Sequence, residues 1–371
     1  MRINNCLGIV FPNVHDDLMF EMTEHRSIGS VPFASRYRFI DFTLSMLINA
    51  GITKVGVLAR ANYRSLMDHL GSGKAWDLDR KNGGLFILPP YAYGEGTYTG
   101  HIDALNNAMS FIRHSVQEYV VLCDCDVITN FDLEAMIDNH ITSGADVTVA
   151  YKYGKLPNEA RSISVFKLDG DKVTDILIGG KSNEICNHSL HIMVMKREKL
   201  IEMVEEATAH SQNSIGRDIL QAHLGELDIR GYKVEDFAEI IDGPDAYFRV
   251  SKEILANKES RESLFAPERP IYTKTRDDMP TKYGLDSAVS GSLIGDGCII
   301  EGTVKNSVIF RGVHIGKNAV VENCIIMQDS TVLEGAEIRN VTLDKDVTVS
   351  ANVTLCGAPG YPMYIRKGSK V

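Results

Sequence analysis

Long apolar runs are missing from this chain of 371 residues. Nothing in it approaches the 18 or so consecutive apolar residues that a membrane-spanning helix needs. The N-terminal MRINNCLGIVFPN has neither the apolar stretch nor the small-residue cleavage site of a secretory leader, so a cytoplasmic protein is expected. Positive charge is also short: 39 Lys and Arg face 49 Asp and Glu, a net charge of −10, which argues against nucleic acid or an anionic membrane as partner. Cysteine is sparse. The seven residues are scattered, only Cys123 and Cys125 lie close, and no His or Cys stands beside them at metal-ligand spacing. Buried, reduced thiols are the expectation. The rest is ordinary for a soluble globular protein, 44% hydrophobic and 24% charged. The length exceeds one typical core, so two domains are expected.

What is present, above all, is a period. Ile309, Ile315 and Val321 are followed by Ile326, Val332 and Ile338, then by Leu343, Val349 and Leu355. Aliphatic residues recur every six positions within a set, and whole sets recur every 17. A chain that buries one aliphatic side chain per hexad and closes a coil every third hexad turns flat faces around a triangular prism. Gly295, Gly302, Gly312, Gly316, Asn318 and Gly335 fall between the faces, where corners need tight or left-handed backbone. This is the hexapeptide pattern of a left-handed parallel β-helix, here of about four coils. Each coil buries little alone and gains its core by stacking. The flat faces carrying Val308, Phe310, Ile325 and Met327 fit docking against another subunit, or packing against the first domain.

Ahead of the repeat, strands and helices alternate. Strands are read at Cys6–Phe11, Lys54–Ala59, Tyr119–Cys123, Val147–Tyr151 and His188–Met195, with a hairpin at Ser162–Phe166 and Lys172–Leu177. Helices are read at Phe42–Ala50, Asn62–Leu70, Ile102–Arg113, Leu133–Ser143 and Glu198–His210. The alternation predicts an α/β, Rossmann-like domain over 1–255, with a mainly parallel sheet and helices on both faces. A polar, proline-bearing stretch, 256–288, reads as a linker, and 289–371 as the β-helix domain. In such sheets ligands sit beyond the carboxyl ends of the strands.

The motifs narrow this. Val31-Pro32-Phe33-Ala34-Ser35-Arg36-Tyr37-Arg38-Phe39-Ile40-Asp41-Phe42 resembles the VPFGGKYRxIDF stretch of the glucose-1-phosphate adenylyltransferase (ADP-glucose pyrophosphorylase) family. Gly100-His101-Ile102-Asp103-Ala104-Leu105 resembles that family's GTADAV segment beside nucleotide and sugar. Asp126-Val127-Ile128-Thr129-Asn130-Phe131-Asp132 resembles DHIYKMD, whose first Asp holds magnesium, and Asn306-Ser307-Val308-Ile309 matches the NSVI that opens the β-helix. The resemblance implies a nucleotidyltransferase domain ahead of the prism, a tetrameric assembly, and glucose-1-phosphate attacking the α-phosphate of ATP. Such chemistry needs positioning and neutralised phosphate charge.

The parts that neutralise charge are largely missing. The family's glycine-rich turn GGxGxRL is replaced by Pro12-Asn13-Val14-His15-Asp16-Asp17-Leu18, and no glycine occurs between Gly8 and Gly29. Two carboxylates about 4 Å from a triphosphate would each oppose it by about 1–4 kcal/mol. The family's lysine in AKP falls on Ile28, and the lysine of FVEKP is lost in Ile176-Leu177-Ile178-Gly179-Gly180. The second magnesium Asp falls near Ile240, flanked by Glu239 and Asp242. Gly100, Asp103 and Asp126 remain as remnants of a substrate pocket, with Asp126 the one metal candidate and Mg2+ in doubt. No residue is assigned a catalytic role.

This pattern resembles the GlgD-type branch of the family, whose members modulate a homologous catalytic subunit in glycogen synthesis. Two alternatives stay open. One is an active transferase in which Asp16, Asp17 and Asp126 gather magnesium; the other is an acyltransferase using His314 on the prism. The family's phosphorylated effectors bind basic clefts between the domains, which makes Arg26, Arg36, Arg38 and Arg64 anion candidates beside Arg60.

Overall fold

The computed structural model describes residues 5–90, 100–157, 163–181 and 184–371. The first part runs β1 (Cys6–Phe11), α1 (Phe39–Asn49), β2 (Lys54–Leu58), α2 (Arg64–Leu70), β3 (Gly84–Leu88), α3 (His101–Asn107), α4 (Met109–Arg113), β4 (Tyr119–Asp124), β5 (Val127–Thr129), α5 (Leu133–Ser143), β6 (Val147–Lys155), β7 (Ser164–Asp169), β8 (Lys172–Ile178), β9 (Ile185–Lys196), α6 (Arg197–Ala209), β10 (Ile229–Lys233), β11 (Ala238–Ile240), α7 (Pro244–Ala256) and α8 (Lys258–Leu264). Nine of the strands form one sheet, ordered β3-β2-β1-β4-β9-β6-β10-β8-β7. β1 is the third strand from one edge, paired on both sides, and is buried along its whole length, as its uninterrupted apolar sequence requires. Apolar clusters cover both faces.

The sheet is mixed rather than mainly parallel. β3, β2, β1 and β4 run parallel, as do β6 and β10, but β9 lies antiparallel to both β4 and β6, and the β7–β8 hairpin is antiparallel to its neighbours. β9 is twelve residues long and pairs with three strands, which lets one reversed strand join two parallel blocks. Ser162, the expected start of the hairpin, lies outside the described residues. α5 shows how local sequence sets an element. The Asp132 carboxylate accepts the Ala135 N–H at 3.0 Å at its start, and Gly144 stops it at φ +68°. Asp41, expected to open α1, instead lies inside its first turn and accepts the Arg38 N–H at 3.0 Å.

The stretch 256–288 is ordered against the first domain. It contains α8, its Tyr272 N–H donates to Ser45 Oγ at 2.8 Å, and Thr273 Oγ1 donates to Asp41 at 2.6 Å. The prism begins within it, at Lys282–Tyr283. Three five-stranded parallel sheets follow, one per face, so the coils number five rather than about four. Ile309, Ile315 and Val321 occupy successive faces, as do Ile326, Val332 and Ile338, and all six point into a shared apolar core. Most coils are 17 residues long, but Ala288 pairs with Thr303 and Leu293 with Val308, so one coil has 15. The shortened corner contains Gly302, where a Cβ would lie 2.4 Å from the Ala319 carbonyl oxygen.

Val308, Phe310, Ile325 and Met327 pack inside the chain. All are essentially inaccessible and share a cluster with Phe33, Phe39, Phe42 and Tyr247 of the first domain, which removes the subunit-docking reading for this face. Burial of such side chains contributes roughly 1.5–3 kcal/mol each. Across the same seam Arg26 donates to the Asp344 carboxylate, which also accepts the Tyr364 hydroxyl at 2.6 Å.

Candidate functional site

A cavity of about 490 Å³ opens beyond the carboxyl ends of β1 and β4, walled by Phe11, His15, Asp17, Gly100, His101, Asp124, His191 and Ser214–Arg217. Its position follows from the topology, because β1 and β4 are parallel neighbours and Phe11 is in register with Asp124. Gly100 forms part of the wall, and a Cβ there would meet the Asn213 carbonyl oxygen at 2.4 Å, so only glycine lets that strap cross the start of α3. The strap continues into a π-type turn, Ile215–Gln221, with Ser214 at its start accepting the Arg217 N–H.

Histidine dominates the chemistry of the wall. His15, from the segment after β1, places Nδ1 2.6 Å from Asp126 and 3.9 Å from Asp124. His191 places Nδ1 3.3 Å from Asp126 and 3.6 Å from Asp124. His101, first residue of α3, sets Nε2 3.0 Å from both oxygens of Asp124. Both carboxylates are buried, at 4% and 2% exposure for Asp124 and Asp126. Burial opposes a charged His15, yet Asp126 hydrogen-bonded to it, with Asp124 and Asp17 beyond, outweighs that and raises its pKa to about 9. Burial likewise works against the Asp126 carboxylate, but His15 and His191 hold it well below the usual range.

His191 owes its aim to the backbone. It has φ +54°, uncommon for a residue with a Cβ, at an irregularity in the pairing of β9 with β6 between Ser189 and Met193. Such a bulge turns a strand residue out of its alternation.

Of the sequence-selected residues, Gly100 lines the cavity and Asp126 lies buried just behind His15; Asp103, in the first turn of α3, is not part of the wall. Asp16 faces away: its carboxylate accepts the Ile28 N–H and the Asn13 amide, both at 2.7 Å, and burial raises its pKa to about 6. Asp16, Asp17 and Asp126 therefore do not converge on one ion. Asp242 lines a different cavity, with Lys152, Glu239 and Arg249. Magnesium prefers an octahedron of oxygens, whereas two imidazoles occupy the space around Asp124 and Asp126, so these residues do not fit it.

None of the arginine candidates lines the main cavity. Arg26 and Arg38 are buried near the interdomain seam, Arg38 donating to Ser65 O at 2.7 Å and to its Oγ at 3.0 Å. Arg36 is exposed, 5.6 Å from the Tyr37 ring, and Arg64 is exposed at the start of α2. Arg60 borders a small pocket adjoining the main one. His314 pairs with Glu301 at 3.3 Å on a prism face. All seven cysteines are free and five are buried. No helix among the described residues is long and apolar enough to cross a membrane.

The sequence reading passed over His15, His101 and His191. Two of them carried a signal: His15 follows the first strand in the segment where phosphate binding was sought, and His101 adjoins Gly100 in the GTADAV-like motif. His191 sits inside a strand pattern, and its aim depends on a bulge that the pattern does not announce.

Comparison with known proteins agrees with this architecture. Residues 19–170 match the nucleotidyl transferase family, and residues 279–358 match the GlmU-like, C-terminal hexapeptide family. The chain is 33% identical over 366 residues to the glycogen biosynthesis protein GlgD of Bacillus subtilis, covering 98% of this chain and 96% of that one. It is 36% identical over 320 residues to the GlgD of Geobacillus stearothermophilus, covering 86% and 83%. It is also 30% identical over 381 residues to the glucose-1-phosphate adenylyltransferase of Bacillus cytotoxicus, covering 95% and 99%.

Proposed function

Because the chain belongs to the family of glucose-1-phosphate adenylyltransferases and their GlgD relatives, we propose that it is a GlgD-type subunit of glycogen biosynthesis. In this reading it modulates a homologous catalytic chain that makes ADP-glucose from ATP and glucose-1-phosphate, in the cytoplasm and within a tetramer. Its prism is read as the left-handed form. The observation that carries the proposal is the charge of the cavity wall. Arg217 is its one Lys or Arg among the described residues, and that guanidinium is paired with Asp218 at 2.9 Å. Asp17 and Asp124 are on the wall. A triphosphate approaching this surface meets Asp17 and Asp124, with the His15 imidazole already paired to Asp126, where transfer chemistry needs free cations, and loss of one such group typically costs a hundred- to thousand-fold in rate.

The reading includes an anionic effector, for which the crowding of cations at the interdomain seam is the supporting feature. Burial lowers the pKa of Arg38 to about 10 against the pull of Asp41, with Arg26 and Arg276 adding to the lowering, and burial lowers that of Lys345 to about 7, with Arg38 and Arg26 adding. Cations that depress one another gain from a bound phosphate.

The test is ADP-glucose formation by the purified chain, alone and mixed with its catalytic homologue. Silence alone, with raised turnover, tighter substrate binding or a changed effector response in the mixture, is the expected result. Robust turnover by the chain alone overturns the proposal.

A further inference from the structure

We propose that His15, Asp124, Asp126 and His191 bind one divalent first-row transition ion of the zinc class, in place of the magnesium for which the site does not fit. The four side chains each offer a ligand atom, and these atoms all lie within 4.8 Å of one another. Four ligands held tetrahedrally at about 2.0–2.2 Å from zinc stand about 3.3–3.6 Å apart. The imidazole-to-carboxylate separations, 2.6, 3.3, 3.6 and 3.9 Å, bracket that value, so small rotations of His15 complete the shell.

The donor set selects the ion. Imidazole nitrogen suits zinc, cobalt, nickel and iron, while magnesium and calcium prefer oxygen. Electrostatics point the same way, because two buried carboxylates side by side are costly unless a positive charge sits between them. Arg217, the cavity wall's guanidinium, already has its own carboxylate partner. A divalent ion takes the place of the proton through which His15 now meets Asp126 and brings more charge than it displaces.

The surroundings support the ligands as well. His101 touches both oxygens of Asp124 at 3.0 Å and so fixes the plane of that carboxylate. Orientation of a ligand by a partner outside the coordination shell is a general requirement of metal sites. His191 is turned toward the carboxylates by the bulge in β9, at φ +54°. His15, Asp124 and His191 also line the 490 Å³ cavity, which gives the ion an entry path.

The inference does not rest on the regulatory reading, since an ion here is compatible with either result of the ADP-glucose assay. The experiment is titration of chelator-stripped full-length chain with Zn2+ and, separately, Mg2+ by equilibrium dialysis, together with the visible spectrum of the Co2+-loaded protein. One Zn2+ per chain, bound at least a hundredfold more tightly than Mg2+, is expected, with the intense absorption of four-coordinate cobalt. His15→Gln and His191→Gln should each weaken Zn2+ at least tenfold. No stoichiometric Zn2+, equal affinity for Mg2+, or affinity unchanged in both variants overturns the proposal. So does a thiolate-to-cobalt charge-transfer band, which would put the ion on a cysteine, or the weak spectrum of six-coordinate cobalt. The cobalt spectrum of the unaltered chain decides the matter even where a variant fails to fold.

Discussion

Arg26 and Asp344 stand 318 positions apart in the chain and meet as a buried ion pair that joins the nucleotidyltransferase domain to the prism. Removing one member leaves the other charged and desolvated. Arg26→Met should therefore cost about 3–5 kcal/mol of unfolding free energy. The Arg26→Met, Asp344→Leu double variant should lose less than the two single changes added together, as denaturant titration of all three will show.

Lys345 should contribute a stabilisation that grows with pH on the alkaline side of neutrality. Burial, with Arg38 and Arg26, lowers Lys345 to about 7 in the folded chain, against 10.5 as its ordinary value. Between those values this residue binds more protons in the unfolded chain, so its contribution to the free energy of unfolding increases as pH rises through the window. Below pH 7 the cost of a buried ammonium is fully present. The difference in denaturation midpoint between Lys345→Met and the unaltered chain should be largest at pH 7 and shrink towards pH 10.

Asp17 is exposed on the cavity rim, where water screens it. A carboxylate about 4 Å from a triphosphate opposes it by about 1 kcal/mol at the dielectric of water. Asp17→Asn should tighten ATP binding only a few-fold in calorimetric titration, without creating ADP-glucose synthesis. A gain of activity from this one change would mean that the rest of the phosphate site is intact.

Phe310 belongs to the prism by sequence and to the first domain by packing, with no accessible surface. Phe310→Ala should cost about 3–5 kcal/mol. The loss should appear as one cooperative transition for both domains in calorimetry, because the cavity opens in a core they share.

The prism was legible because its information is local. Which way Ile315 or Val332 points depends on a spacing of six that any window of the chain reveals. The strands β3, β5, β10 and β11 went unread, being short and without clean alternation. The direction of β9 was unreadable for a different reason: apolar periodicity records burial, not polarity of pairing. Motif resemblance located Asp126 and Gly100. It also drew attention to Asp16, whose carboxylate turns inward to the Ile28 N–H. The three histidines converge from the segment after β1, the start of α3 and a bulge in β9, and no spacing in the sequence connects them. The polar composition of 256–288 suggested a free linker, but Tyr272 and Thr273 tie it to α1 through bonds to Ser45 and Asp41.

The clipped corner at Gly302 separates chain length from axial rise. A coil of 15 residues and a coil of 17 each advance the stack by one strand spacing, about 4.8 Å. Insertions and deletions confined to a corner thus leave everything farther along the prism in phase. A single residue added within a flat face would turn its inward side outward from that point on. Distance along this half of the molecule is counted in coils, not residues, and the corners are where its sequence is free to change length.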